Sequence, residues 1–202
     1  MSDPARIRIV TATSLFDGHD ASINIMRRIL QSSGAEVIHL GHDRSAAEIA
    51  EAAVEEDAHA IAVTSYQGGH MEFFRYLRQL LDQMGGESIR VFGVGGGTIL
   101  PEEGEELLEE SAVRIYSPDD GRELGLTGMI EDLLAHAAHD QPARQDLLSS
   151  IEVGDTAAIA RAITIAENDP EDHEQLLDAI RDRAGQVSVP VVGFTGTGGA
   201  GK

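Results

Sequence analysis

Polar and apolar residues alternate through "RIRIVTA" (6–12) and then give way to a purely apolar stretch, as in a strand destined for burial. From Asp20 to about Ser33 the period lengthens. Ile23, Met26, Ile29 and Leu30 fall on one helical stripe, and Gly34 is placed to end it. "AEVIHLG" predicts a second strand, and "SAAEIAEAAVEEDA" an alanine-rich helix with Ser45 as its cap. "AIAVTSY" predicts a third strand that runs into Gly68-Gly69, after which residues 71–84 put Phe74, Leu77, Leu81 and Met84 on one helical face. "IRVFGVGGG" is a fourth strand, "PEEGEELLEES" a helix opened by Pro101, and "AVRIYSP" a fifth strand before a helix from about Gly121 to His139.

Strand and helix thus alternate five times in about 140 residues. This predicts an α/β fold: a doubly wound, parallel, five-stranded sheet of flavodoxin-like, Rossmann type, followed by a short helical segment. Residues 1–140 are expected to form this domain. Residues 141–188 read as a linker of two or three short polar helices, broken at Gly154-Asp155 and Asp169-Pro170. Residues 189–202 read as an apolar strand running into a glycine-rich loop. In sheets of this kind ligands sit beyond the carboxyl ends of the strands, at the switch in strand order. Three of the loops expected on that edge carry the unusual residues: Asp17 to His19, Thr64 to His70, and Gly95 to Gly97.

Composition narrows the classes. The 202 residues contain no cysteine, which removes disulfides and thiolate metal sites. No apolar run is long enough to span a bilayer and no signal peptide is recognisable, so a cytoplasmic location is expected. The formal charge is −20, from 35 acidic and 15 basic residues, and Lys202 is the only lysine. Self-repulsion of that size predicts no partnership with nucleic acid or an anionic membrane.

Asp17-Gly18-His19 suits a strand-to-helix turn, and equally a metal-ligating imidazole oriented by a carboxylate. One histidine without convergent ligands cannot hold a bare ion, but it can fill one axial position of a metal already held by a macrocycle. Such a planar cofactor needs side-chain-free backbone near it. Gly68, Gly69, Gly95, Gly96 and Gly97 offer that on two strands, although phosphate binding or a plain turn fits each glycine run as well. Thr64 and Ser65 offer hydroxyls to a cofactor tail or to a cap. His39, His42, His136 and His139 form two i,i+3 pairs and are expected to be exposed surface residues.

"DGHD", "VTSYQGGH", "VGGGTILP" and "VRIYSP" occur in the order and spacing of the cobalamin-binding domain of adenosylcobalamin-dependent acyl-CoA mutases, which residues 6 to about 138 resemble. The resemblance implies that His19 is the lower cobalt ligand and Asp17 its hydrogen-bond partner. It sets Thr64 at the serine of a Ser-x-Leu motif and Tyr66 at its leucine, and gives Gly95 and Gly96 the lining of the pocket for the displaced nucleotide tail. Three positions depart from the pattern: Ser22 stands where glycine is usual, Thr13 where many methylmalonyl-CoA mutases have lysine, and Tyr66 is not leucine.

"GTGGAGK" matches the P-loop spacing Gly196-x4-Gly201-Lys202 after an apolar run, and "GDTAAIARAITIAEND" resembles the lead-in of the GTPase chaperones that serve these mutases. The resemblance therefore implies the N-terminal part of a fused mutase, cut inside the P-loop. It implies radical isomerisation of the isobutyryl-CoA/n-butyryl-CoA or methylmalonyl-CoA type. Adenosylcobalamin would be its cofactor, with GTP and Mg²⁺ bound only in the full-length protein. The acyl-CoA barrel and the GTPase domain would be its partners, in the same or another chain, and no catalytic residue is expected in this portion. A corrinoid carrier of a methyltransferase system is the competing expectation. A nucleotide-binding or signalling module of the same fold is a third.

Overall fold

The computed structural model describes residues 7–95, 97–139 and 146–188, together with 190, 192, 193 and 195. Five parallel strands form one sheet in the order β2-β1-β3-β4-β5. They are β1 (Arg8–Ser14), β2 (Glu36–Arg44), β3 (Ala60–Thr64), β4 (Arg90–Val94) and β5 (Arg114–Tyr116). Helices α1 (Asp20–Ser32), α2 (Ala46–Glu55), α3 (His70–Gln83), α4 (Pro101–Glu110) and α5 (Pro118–Ala137) connect and follow them. The doubly wound α/β fold expected from the alternation is present.

The period-2 pattern of the central strands divides their side chains between two cores. Val10, Ala12, Ile61, Val63 and Val91 face α2 and α3, where Ile49, Phe74, Leu77 and Leu81 are buried. Ile9, Ala60, Ala62, Phe92 and Tyr116 face α1 and α5, against Met26, Leu30, Ile130 and Leu133. Ser45 caps α2 in a reciprocal box with Glu48, as the sequence suggested. The last helix of this unit begins at Pro118 rather than near Gly121, because Ser117 and Asp120 form a second capping box there, and it is kinked at Gly125, whose φ 66 and ψ 172 are not helical. β2 runs past its expected end to Arg44, through register shifts against β1 and positive φ at Gly41 and Asp43.

The polar segment resolves into α6 (Leu147–Glu152), α7 (Thr156–Asn168) and α8 (Glu174–Gly185), broken where the sequence suggested. α7 is docked on α2: Ala157 joins the core, and Arg161 pairs with Asp57 at 3.1 Å with both side chains largely buried. Arg8 Nη1 also donates to Thr164 Oγ1 at 3.4 Å. These anchors lie at the amino ends of the strands, opposite the edge expected to carry the site. Of the apolar run after Gly185, the described residues carry no strand, and Val187 and Val192 are exposed. The glycine-rich loop with Gly196, Gly201 and Lys202 lies outside the described residues.

Exposure of all four paired histidines does not hold. His42 and His136 are exposed, but His39 and His139 are half-buried. β2 carries His39 beside β1, where its Nδ1 lies 3.0 Å from Thr11 Oγ1. The end of α5 folds His139 edge-on against His59, with ring centroids 6.0 Å apart.

Gly93 sits in β4 where a Cβ would come within 2.6 Å of Ile115 Cδ1 and 2.7 Å of Phe74 Cζ. Phe74 is fully buried and has no room to yield. Gly93→Ala should therefore destabilise the fold by about 1–3 kcal/mol through overpacking. Urea unfolding of both proteins measures it, and an unchanged midpoint would contradict the packing described.

Candidate functional site

Because β1 and β3 are neighbours while the chain leaves β1 towards β2, the switch in strand order falls between their carboxyl ends. The loops after these two strands meet there. Just beneath them, Thr13 and Thr64 stand opposite each other in register with their hydroxyls 2.9 Å apart. Ser14 Oγ donates to Ser65 Oγ at 2.9 Å. All four residues are fully buried. Thr64 and Ser65 are thus tied to β1 rather than capping a helix, and sequence reading missed both bonds because the partners are 51 residues apart.

Above this hydroxyl layer lies Asp17, only 2% exposed. Its Oδ1 accepts the His19 amide N–H at 2.9 Å and lies 2.7 Å from His19 Nδ1. Its Oδ2 accepts the Tyr66 amide N–H at 2.5 Å. Burial alone would raise the carboxyl's pKa, but these hydrogen bonds from Tyr66 and His19 outweigh it and hold the group below its ordinary value of 3.8. An ionised carboxylate only accepts, so Nδ1 carries the proton and the neutral imidazole keeps its lone pair on Nε2. The His19 side chain is 74% exposed. A buried anion therefore presents an outward-facing imidazole of fixed tautomer.

Tyr66 completes the arrangement. Its ring lies 5.6 Å from the imidazole at 53°, and its hydroxyl donates to Ser22 Oγ on α1 at 3.1 Å. Beside them Phe16 adopts a left-handed conformation (φ 65) and is 83% exposed; its amide N–H donates to Asp43 Oδ1 at 2.7 Å.

The glycines divide. Gly18 and Gly68 border open space. Gly69 has φ 141 where α3 begins, and Gly97 has φ 93; both conformations favour glycine. A Cβ on Gly95 would lie 2.3 Å from Ile99 Cγ1, so the room this glycine leaves is taken by Ile99. Gly96 lies outside the described residues. His70, which follows Gly69, is buried, and its Nε2 lies 2.9 Å from Glu103 Oε2. Glu103 also accepts the Leu100 amide N–H at the start of α4. This link between the loops after β3 and β4 was not legible from spacing.

Among the described residues no group of three or more acidic or histidine side chains is placed to hold a metal. The donor set is one imidazole backed by one carboxylate. It fits a metal that arrives within its own equatorial ligands and does not fit a bare ion.

Comparison with known proteins gives the class to which this fold belongs. Residues 7–124 match the B12 binding domain model, and the chain belongs to that family. It is 54% identical over 198 residues to the fused isobutyryl-CoA mutase of Cupriavidus metallidurans, covering 98% of this chain and 18% of that protein. It is also 54% identical to the fused isobutyryl-CoA mutase of Geobacillus kaustophilus, over 97% of this chain and 19% of the relative. The chain thus spans about a fifth of the length of these relatives. A cobalamin-binding protein from Desulfitobacterium hafniense shares the fold, with a TM-score of 0.54 at 20% identity over 66% of this chain and 60% of that one.

Asp17 gives the site a pH signature. Its folded pKa lies below 3.8, so its stabilising contribution is complete above that value and is lost as pH falls through the lower, folded one. In Asp17→Asn the stability difference from wild type should be constant above about pH 5 and shrink as pH drops below about 4. Urea unfolding across that range measures it, and a difference independent of pH would deny the carboxylate this role.

Proposed function

We propose that this chain is the cofactor-binding portion of an adenosylcobalamin-dependent acyl-CoA mutase, with His19 as the protein ligand to cobalt. The observation that carries the reading is the Asp17–His19 pair: a buried carboxylate fixes Nδ1–H and leaves Nε2 directed outward on an exposed ring. Asp17 orients the ligand, Gly18 and Gly68 leave open space around it, and Thr64, Ser65 and Tyr66 line the second loop. Gly69 and Gly97 remain candidate contacts of the cofactor and Gly96 of its tail, while Ile99 fills the room at Gly95. When bound, adenosylcobalamin supplies a weak Co–C bond whose homolysis begins a radical rearrangement. The work of this chain is ligation, orientation and shielding, so it should hold cofactor without turning substrate over.

The reading extends to the whole protein through its relatives. Isobutyryl-CoA or a related acyl-CoA would be rearranged in a barrel domain of the same or a partner chain. Residues 1–140 would carry the cofactor and 141–188 would lead into a GTPase chaperone. In that chaperone Gly196, Gly201 and Lys202 would contribute to the phosphate site for GTP and Mg²⁺. The protein would work in the cytoplasm, in keeping with the lack of any helix among the described residues long and apolar enough to cross a membrane. A methyltransferase carrier would use the same ligand with another partner. The high identities over nearly the whole chain are to mutases and favour the first reading.

Titration with adenosylcobalamin, followed by visible absorption, tests the ligation. The wild-type chain should show the spectral change that marks displacement of the cofactor's own benzimidazole, and His19→Ala should remain folded and lose it. Asp17→Asn should bind about 10–100-fold more weakly, as partners of metal-bound histidines generally do. A His19→Ala protein with the wild-type spectrum would remove the axial role.

A further inference from the structure

Orientation of the His19 ring needs more than Asp17. A carboxylate 2.7 Å from Nδ1 fixes one point of the imidazole and leaves the ring free to swing about that hydrogen bond. The side chain is 74% exposed, so little packing restrains it. Its aromatic neighbour is Tyr66, 5.6 Å away with the planes tilted by 53°. Tyr66 is itself held at two points. Its amide N–H donates to Asp17 Oδ2 at 2.5 Å, and its hydroxyl donates to Ser22 Oγ at 3.1 Å. Ser22 lies three residues beyond His19, in the first turn of the helix that His19 caps. A closed circuit therefore runs from His19 through Asp17 to the Tyr66 backbone, across the Tyr66 ring to Ser22, and back along α1 to His19. Its two side-chain members are Tyr66 and Ser22. A leucine and a glycine there would leave neither hydroxyl nor aromatic ring, and the circuit would stay open.

We propose that Tyr66, latched to α1 by Ser22, is a positioning residue that fixes the orientation of the His19 imidazole before its metal arrives. This rests on the cobalt-ligand reading of His19 and adds the device that holds the ligand in place. Without the latch the ring samples several orientations, and binding must supply the ordering cost. With it the ligand is preorganised, and the gain appears as affinity.

The test uses Tyr66→Phe, which keeps the ring and removes its hydroxyl, and Ser22→Ala, which removes the acceptor. Each should weaken adenosylcobalamin binding by about 2–10-fold, the worth of one net hydrogen bond. The double variant should be no weaker than the worse single one, because both break the same link. Tyr66→Leu also removes the ring and should lose more, on the order of 10–100-fold. A second readout needs no cofactor. The ¹H shifts of the His19 ring in the wild-type chain should carry the ring-current displacement of an imidazole held at one orientation beside Tyr66, and each variant should move them towards those of a freely turning ring. Loss of affinity together with moved imidazole shifts supports the proposal. Loss of affinity with unmoved shifts means Tyr66 acts on the cofactor directly and overturns it, as does wild-type behaviour of all three single variants. Should the wild-type chain bind no cobalamin, the ligand reading itself fails, and the comparison of imidazole ring shifts alone still decides whether Tyr66 orients His19.

Discussion

The site is organised around one buried anion. Asp17 is almost wholly removed from water, yet it accepts two backbone N–H groups and lies beside an imidazole nitrogen. An isolated carboxylate at that depth would become protonated, so the three donors are what permit the charge. Each donor thereby becomes part of the site. The His19 amide sets the turn into α1, the imidazole takes its tautomer, and the Tyr66 amide brings the loop after β3 against the loop after β1. Removal of the anion would leave these groups without a common acceptor.

The hydroxyl layer beneath the anion has a related logic. Thr13, Thr64, Ser14 and Ser65 occupy the last rungs between the two central strands, where buried polar atoms are costly unless paired. They pair with one another. The Thr13 hydroxyl, 2.9 Å from that of Thr64, satisfies both partners without a buried cation. The hydroxyls of Thr13, Ser22 and Tyr66 are thus all paired. Thr13 bonds with Thr64, and Ser22 with Tyr66.

What the sequence made legible follows from the range of the forces involved. The five strands, the helices between them and the Ser45 cap rest on periodicity and near-neighbour chemistry, and these appear as expected apart from a few element ends. The Asp17–His19 pair spans two residues and was readable for the same reason. Tyr66–Ser22, Ser14–Ser65, Phe16–Asp43 and His70–Glu103 join residues 27 to 51 apart, and no local pattern encodes such meetings. Half-burial of His39 and His139 was missed on similar grounds, since the first depends on a neighbouring strand and the second on His59. The room expected at Gly95 was misjudged because Ile99, only four residues on, turns back to fill it.

The pairing of β1 with β3 has a kinetic consequence. The Tyr66 amide that steadies Asp17 follows directly on Ser65, whose own amide N–H is bonded to Val94 on β4, the neighbour of β3 on the side away from β1. The frame of the imidazole is therefore mortgaged to the middle of the sheet and not to its margins. Fraying of β2 at one border or β5 at the other leaves Asp17, His19 and Tyr66 together. Only an opening that parts the two central strands releases them, and such openings are among the rarest excursions a domain of this kind makes. Amide exchange at Tyr66 and at the central strands should share one slow clock, so the imidazole keeps its aim for as long as the protein stays folded.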